Sequence, residues 1–123
     1  MKTHRDLEVW KKSIDLVVQI YSITKNFPTT EKYGLISQIQ RCSVSIPSNI
    51  AEGSARKSSK EYSHYLSISL GSLAELETQL IISNRLKFLN DKVFKEVNDD
   101  KIIHIRKMLI GLKKAVEKTI KSK

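Results

Sequence analysis

The residue types best suited to metal chemistry stand at Glu61-Tyr-Ser-His64, a Glu-x-x-His motif inside a predicted helix. Di-iron sites in four-helix bundles need two such motifs and two further carboxylates that face the interior. The chain has no second motif, because Asp100 precedes His104 by four residues and His4 lies before the first predicted helix. We therefore expect no metal ligand and no cofactor.

Nucleophilic catalysis requires a thiol or hydroxyl beside a general base. Cys42 is the one cysteine, and its neighbours at helical spacing are apolar and include no histidine. The stretch Ser54-Ala-Arg-Lys57 lacks the glycine and lysine spacing of a phosphate-binding loop. We expect no catalytic residue, and hence a protein that is not an enzyme.

Positive charge is a stronger chemical signal than any catalytic motif. The 123 residues include 22 Lys and Arg against 13 Asp and Glu, which gives a formal net charge of +9. An excess of this kind favours an anionic partner, with nucleic acid ahead of a membrane surface. Solubility alone is the alternative explanation of the same charge.

Three basic clusters supply the expected phosphate contacts. The largest lies in the last predicted helix, where eight basic residues and one acid fall between Lys101 and Lys123. We expect its cations to lie away from the apolar stripe of that helix. No exposed aromatic residues alternate with these cations, so recognition of a folded backbone is favoured over base stacking. The candidates are Lys11, Lys12, Arg56, Lys57, Lys60, Arg106, Lys107, Lys113 and Lys114.

Helices must position these side chains. Apolar residues recur at alternating spacings of three and four, and four glycines with two prolines are too few for a many-stranded fold. Short connections make successive helices antiparallel neighbours. We predict one all-α domain over residues 1–123, an elongated, antiparallel, up-down-up-down four-helix bundle. The predicted helices span about residues 6–26, 31–55, 59–86 and 92–121.

The segment 45–57 contains residues that a helix built only for packing would not have. Pro47 removes a backbone donor, and Gly53 costs about 1 kcal/mol relative to alanine. Asn49 and Glu52 form a polar row beside the apolar stripe, and Glu52 can pair with Arg56 one turn later. We expect an architectural role, with ligand contact as the alternative. The residues assigned to architecture are Trp10, Arg41, Pro47, Asn49, Glu52 and Gly53.

Several segments carry a family resemblance: Arg5-Asp-Leu-Glu-Val-Trp10, Tyr33-Gly-Leu, Gln38-Ile-Gln-Arg41, Ser45-Ile-Pro-Ser-Asn-Ile-Ala-Glu-Gly53 and Leu70-Gly-Ser-Leu-Ala-Glu-Leu-Glu77. They resemble the four-helix bundle proteins encoded in intervening sequences of bacterial 23S ribosomal RNA, over about residues 3–90. The same fold family includes the accessory variability protein of diversity-generating retroelements. The resemblance implies a homo-oligomeric ring, a pentamer, that binds structured RNA or DNA and has no established enzymatic activity.

Two apolar rows on the first predicted helix bear on partners. An isolated bundle needs one buried stripe per helix, so the second row fits either a subunit interface or a well-buried helix. An adaptor that docks a protein partner, such as a nucleic-acid enzyme, is the alternative to nucleic-acid binding. The sequence has no membrane-spanning run, and a single cysteine fits a reducing compartment. We expect a cytoplasmic protein.

Overall fold

The computed structural model describes residues 3–121 and contains four long helical rods. They are α1 (Glu8–Thr24), α2 (Leu35–Ser54), α3 (Ser59–Arg85) and a fourth rod over residues 91–121. The fourth rod consists of α4 (Asp91–Lys95), a π-helical segment (Glu96–Ile102) and α5 (Ile103–Lys121). Among the described residues there is no strand, so the predicted all-helical bundle is confirmed.

Contacts between the rods show that neighbouring helices run antiparallel. The late residue Thr24 of α1 accepts a hydrogen bond from Gln40, early in α2, at 3.1 Å. Along α2 and α3, Ser69 donates to the carbonyl of Ile46 at 2.9 Å. Arg106 of α5 reaches Glu77 of α3 at 2.8 Å. The order is up-down-up-down, as the short connections predict.

Capping residues determine where α3 and the fourth rod begin. The hydroxyl of Ser58 accepts from the amide of Glu61 at 3.1 Å, and the side chain of Asn90 accepts from the amide of Val93 at 2.9 Å. Each side chain satisfies an amide that lacks a partner within the first turn. Both helix starts agree with the sequence prediction to within one residue.

The starts of α1 and α2 differ from the prediction. A capping box between Thr3 and Asp6 closes a short 3₁₀ turn, His4–Asp6, and Leu7 is extended before α1 begins. Before α2, the turn Thr29–Glu31 is also 3₁₀. Gly34 then adopts a non-helical conformation directly before Leu35. These local bonds compete with the first α-helical turn, which delays both helices.

The π-helical segment was not predicted. Val97 and Ile102 are both fully buried although they stand five residues apart. On a regular α-helix, five residues rotate a side chain by about 140° at 3.6 residues per turn. The wider π turn restores both residues to the same face, which is how this segment keeps its apolar side on the core.

Buried residues from all four rods form one core. In α2 the apolar stripe predicted from the spacing is Leu35, Ile39, Cys42, Ile46 and Ile50; the last four are buried, and Leu35 is partly buried against the core. In α1 the row of Val9, Leu16 and Ile20 is buried in the core, whereas the row of Trp10, Ile14 and Val17 is only partly buried. The largest fully buried side chains are Leu16, Ile20, Ile39, Ile46, Ile50, Leu66, Leu73, Leu76, Leu80, Ile102, Ile105 and Leu109.

Candidate nucleic-acid interface

Four of the nine predicted phosphate contacts already pair with carboxylates. The exposed Lys11 lies 3.5 Å from Glu8. The other three pairs are closer: Arg56 with Glu52 at 2.9 Å, Arg106 with Glu77 at 2.8 Å, and Lys113 with Glu117 at 3.0 Å.

The side chains of Arg106 and Lys113 are partly buried, and this corrects the prediction that they lie away from the bundle. Their side chains are 31% and 25% exposed: Arg106 pairs with Glu77 of α3, and Lys113 lines a groove between α3 and α5 whose outer rim includes Lys114. The expectation that they lie on the open side of the helix is therefore wrong. The partner of Arg106 comes from another helix, so the local sequence could not reveal it.

The open side of α5 carries a row of cations. Lys107, Lys114 and Lys118 are exposed, and none has a carboxylate within 4 Å in residues 3–121. At about 1.5 Å per residue, the row extends about 16 Å along the helix. The exposed residues between them on this side are the small Gly111 and Ala115 and the apolar Ile110, which is 40% exposed. Sequence reasoning missed Lys118, although its spacing from Lys107 and Lys114 was visible.

The turn between α2 and α3 lies at the same end of the bundle as the end of α5. The hydroxyl of Thr119, in the last turn of α5, donates to the hydroxyl of Ser59 at the start of α3. This contact brings the predicted cluster at the turn beside the end of α5, where Lys123 lies outside the described residues. The merged set, called the basic surface below, consists of the exposed residues Lys57, Lys60, Lys107, Lys114 and Lys118.

Lys12 is exposed and belongs to a different part of the molecule. It lies beside the junction of α1 with the π-helical segment, where it lines a cavity with Asp15 and His104. Lys12 therefore lies beside the start of the α5 row, at the opposite end of that row from the α2–α3 turn.

Arg56 connects α2 with α3. Its guanidinium donates to Glu52 at 2.9 Å and to the hydroxyl of Tyr65 at 2.8 Å. It also lies over the Tyr65 ring, 4.9 Å from the centroid, in cation–π geometry. The predicted pair of Glu52 with Arg56 is present, and Tyr65 is the partner that sequence reasoning missed.

The other residues assigned to architecture fall into two groups. Gly53 is buried where α2 meets α3, and an added Cβ would lie 2.8 Å from the Cβ of Tyr65. Asn49 donates to the carbonyl of Ser45 at 2.8 Å, and Arg41 is exposed. Trp10 and Pro47, the second group, line a groove between α1 and α2.

That groove forms an apolar face on the outside of the bundle. Its volume is about 330 Å³, and its wall includes Ile14 and Val17 beside Trp10. Val18 is 66% exposed and Val44 is 40% exposed on the same face. Of the two apolar rows of α1, the one that contains Trp10, Ile14 and Val17 therefore lies along this outer groove, and the other row is the one that fills the core. Below, the apolar face means Trp10, Ile14, Val17, Val18, Val44, Pro47 and Ala51.

The Cys42 thiol is held in its protonated form. Burial raises its pKa from 9.0 to about 11, with a further contribution from the charge of Glu75. The thiol donates a hydrogen bond to the carbonyl of Ser72 at 2.8 Å. Because the thiolate is the nucleophile, a thiol in this environment is a poor one.

Within the described part of the chain, no group of three or more His, Cys, Asp and Glu residues could hold a metal ion. Glu61 and His64, the residues of the one Glu-x-x-His motif, are both exposed. In residues 3–121, no helix combines the length and apolar character that a membrane-spanning helix needs.

Comparison with known proteins decides the family. The family model of the 23S rRNA-intervening sequence protein matches residues 5–111. The chain belongs to the 23S rRNA-intervening sequence protein family. The match continues past residue 90, where the sequence resemblance ended, and so includes the π-helical segment and the first half of α5.

A solved structure agrees with the family assignment and the fold. It is a crystal structure of a protein of unknown function from the S23 ribosomal protein family of Bacteroides thetaiotaomicron. The two chains are 27% identical and superpose with a TM-score of 0.79. The likeness covers 86% of this 23S rRNA-intervening sequence family chain and 98% of the other. No curated protein matches the chain.

Proposed function

We propose that this protein is a non-enzymatic bundle that binds structured RNA or DNA through its basic surface. The observation that carries the proposal is the row Lys107, Lys114 and Lys118, which is exposed and has no carboxylate partner in residues 3–121. A surface kept only for solubility more often alternates charges of both signs. Lys57 and Lys60 add exposed positive charge at the end of the bundle where α5 ends.

The charge distribution along the fourth rod supports an oriented contact. Residues 91–100 carry four acids and two lysines, whereas residues 101–118 carry six basic residues and one acid. A nucleic acid would therefore be attracted to one end of the rod and repelled from the other. The exposed Glu61 is the carboxylate closest in sequence to Lys60, and it limits the attraction at the α2–α3 turn.

Backbone and shape recognition fit this surface better than base reading does. Lysine is a point charge on a flexible stem, suited to phosphate contact. Each strand of a duplex carries one phosphate per about 3.4 Å of helix axis, so a row of about 16 Å can contact more than one of them. The proposed ligand is a folded RNA or a duplex bound with little sequence preference.

The test is fluorescence anisotropy of an RNA hairpin and a DNA duplex across a salt series. We expect binding whose logarithmic affinity falls steeply and linearly with the logarithm of salt, because each phosphate contact releases counterions. Absence of binding at low salt would overturn the proposal and leave solubility as the role of the +9 charge.

We also propose that the protein is a homo-oligomer in which the apolar face is buried. Exposed apolar residues grouped on one face mark an interaction surface more often than a solvated one. The family resemblance implies a pentameric ring and a relation to the accessory variability protein of diversity-generating retroelements. Sedimentation at micromolar concentration should give a mass above one chain, and Val18→Asp should reduce it toward the monomer.

A protein partner on the apolar face is the second candidate function. The same outward row that supports self-association would equally suit an adaptor. A wild-type monomer at micromolar concentration that binds no nucleic acid would favour the adaptor. We propose that the protein has no catalytic residues and no cofactor, and that it is cytoplasmic. The free, buried Cys42 thiol fits a reducing compartment of that kind.

A further inference from the structure

A charged cavity lies between α1 and the fourth rod, and its His104 stands one helical turn before Lys107 of the basic surface. Its volume is about 250 Å³. The α1 helix contributes Lys12 and Asp15, and the fourth rod contributes Asp100, Lys101 and His104. The volume of the cavity is below the range of about 300–1,000 Å³ that is typical of pockets for drug-sized ligands. It therefore suits a flat fragment such as one nucleobase, with the attached sugar and phosphate at the rim.

Opposite charges line this cavity without neutralising one another. Within residues 3–121, none of the four salt bridges involves Lys12, Asp15, Asp100, Lys101 or His104. Lys101 instead donates to the neutral side chain of Gln19. The lysines and the carboxylates therefore remain available to a ligand. Such a ligand would place an anionic group on a lysine and hydrogen-bond donors on a carboxylate.

The backbone that supplies half of the cavity is unusual. Asp100 and Lys101 lie in the π-helical segment, and π turns inside α-helices occur frequently at functional sites. The same segment contains Asn98, which is 7% exposed and whose side-chain oxygen has no hydrogen-bond partner. Asn98 does not line the cavity, so it characterises the segment and not the ligand site. The segment therefore differs from an ordinary helical rod on two counts.

We propose that this cavity binds one unpaired guanine nucleotide, with the guanine edge on a carboxylate and the phosphate on Lys12. Guanine presents two adjacent donors, the ring N–H and the exocyclic amine, which match the two oxygens of Asp15 or Asp100. The His104 ring supplies a surface on which the base can stack. Uracil lacks the amine and offers one donor. The inference rests on the proposed function, since the nucleotide belongs to a bulge or loop of the bound RNA.

The experiment uses mononucleotides, which are too short to follow the basic surface. Titration calorimetry of the full chain should give an affinity for GMP at least tenfold higher than for UMP. IMP, which lacks only the exocyclic amine, should bind more weakly than GMP. Asp15→Asn and Asp100→Asn are both made, and at least one should reduce the GMP preference to below threefold. Lys12→Gln should weaken GMP while leaving guanosine unchanged.

Asp99→Asn is the matched control, because Asp99 is exposed in the same segment and does not line the cavity. Equal binding of GMP and UMP, or a GMP preference that survives both carboxylate variants, would overturn the pocket. Salt-dependent hairpin binding in that case would leave the proposed function standing. Guanine-specific binding without hairpin binding would support the pocket and overturn the proposed function.

Discussion

At the scale of single residues, the seam between α2 and α3 explains the unusual composition of segment 45–57. Gly53 lets the end of α2 approach Tyr62 and Tyr65 more closely than any side chain would allow. Ser45 and Ser72 share a hydrogen bond of 2.8 Å across the same seam. Small and polar residues here hold two backbones together, which is an architectural role.

Gly53→Ala should therefore destabilise the bundle. The new Cβ would lie 2.8 Å from the Cβ of Tyr65 and 3.0 Å from the Cδ1 of Tyr62, so the helices must separate. Overpacking costs about 1–3 kcal/mol, which exceeds the gain of about 1 kcal/mol in helix propensity. Urea denaturation should show a net loss.

Gly71→Ala is the control, because nothing lies within 4 Å of its added Cβ. It should stabilise α3 by about 0.5–1 kcal/mol, since alanine loses less backbone entropy than glycine. Equal effects of the two substitutions would contradict the close approach at Gly53.

Cys42 predicts a specific pH dependence of stability. Because burial raises its pKa from 9.0 to about 11, the native state holds this proton more tightly than the unfolded state. The stabilisation is complete below about pH 9 and is lost as the pH rises toward about 11. Urea titrations at successive pH values should show the free energy of unfolding falling over this range.

Cys42→Ala should reduce that fall. Tyr62, whose pKa burial also raises, contributes an alkaline loss to both proteins, so the difference between them isolates the thiol. Identical pH profiles for the two proteins would contradict the raised pKa of Cys42.

At the scale of elements, the sequence predicts best where a cap marks the helix. Ser58 and Asn90 are visible as capping residues, and the helices that follow them begin within one residue of the prediction. The starts of α1 and α2 shifted by two and four residues because 3₁₀ turns compete with the first helical turn. The π-helical segment was missed although the five-residue spacing of Val97 and Ile102 was readable.

Ser58→Ala tests the contribution of one cap. Its hydroxyl is the acceptor for the Glu61 amide at 3.1 Å, so removal should destabilise the protein by about 1 kcal/mol. Ser67→Ala serves as the comparison, because Ser67 is exposed in the middle of α3. That change should stay within about 0.5 kcal/mol in thermal denaturation. A neutral Ser58→Ala would show that the cap contributes nothing to stability.

At the scale of the whole molecule, the tertiary structure determines which cations pair with carboxylates and which remain exposed without such a partner. The pairing of Arg106 with Glu77 depends on the register of two helices, which no local pattern encodes. The lysines of the α2–α3 turn lie near the end of α5 because Ser59 contacts Thr119. The sequence therefore predicts that the chain is basic and helical, whereas the location of a usable basic surface requires the fold.

The most direct test of the account compares two charge variants in the anisotropy salt series. One replaces Lys107, Lys114 and Lys118 with Gln. The other replaces three exposed lysines outside the basic surface, Lys25, Lys87 and Lys92, so both lose the same charge. If the α5 row contacts phosphate, the first variant should lose about two to three units of salt slope, at about 0.9 per phosphate contact. The second should keep the wild-type slope. Equal slopes in the two variants would contradict a localised interface and show that net charge alone drives binding.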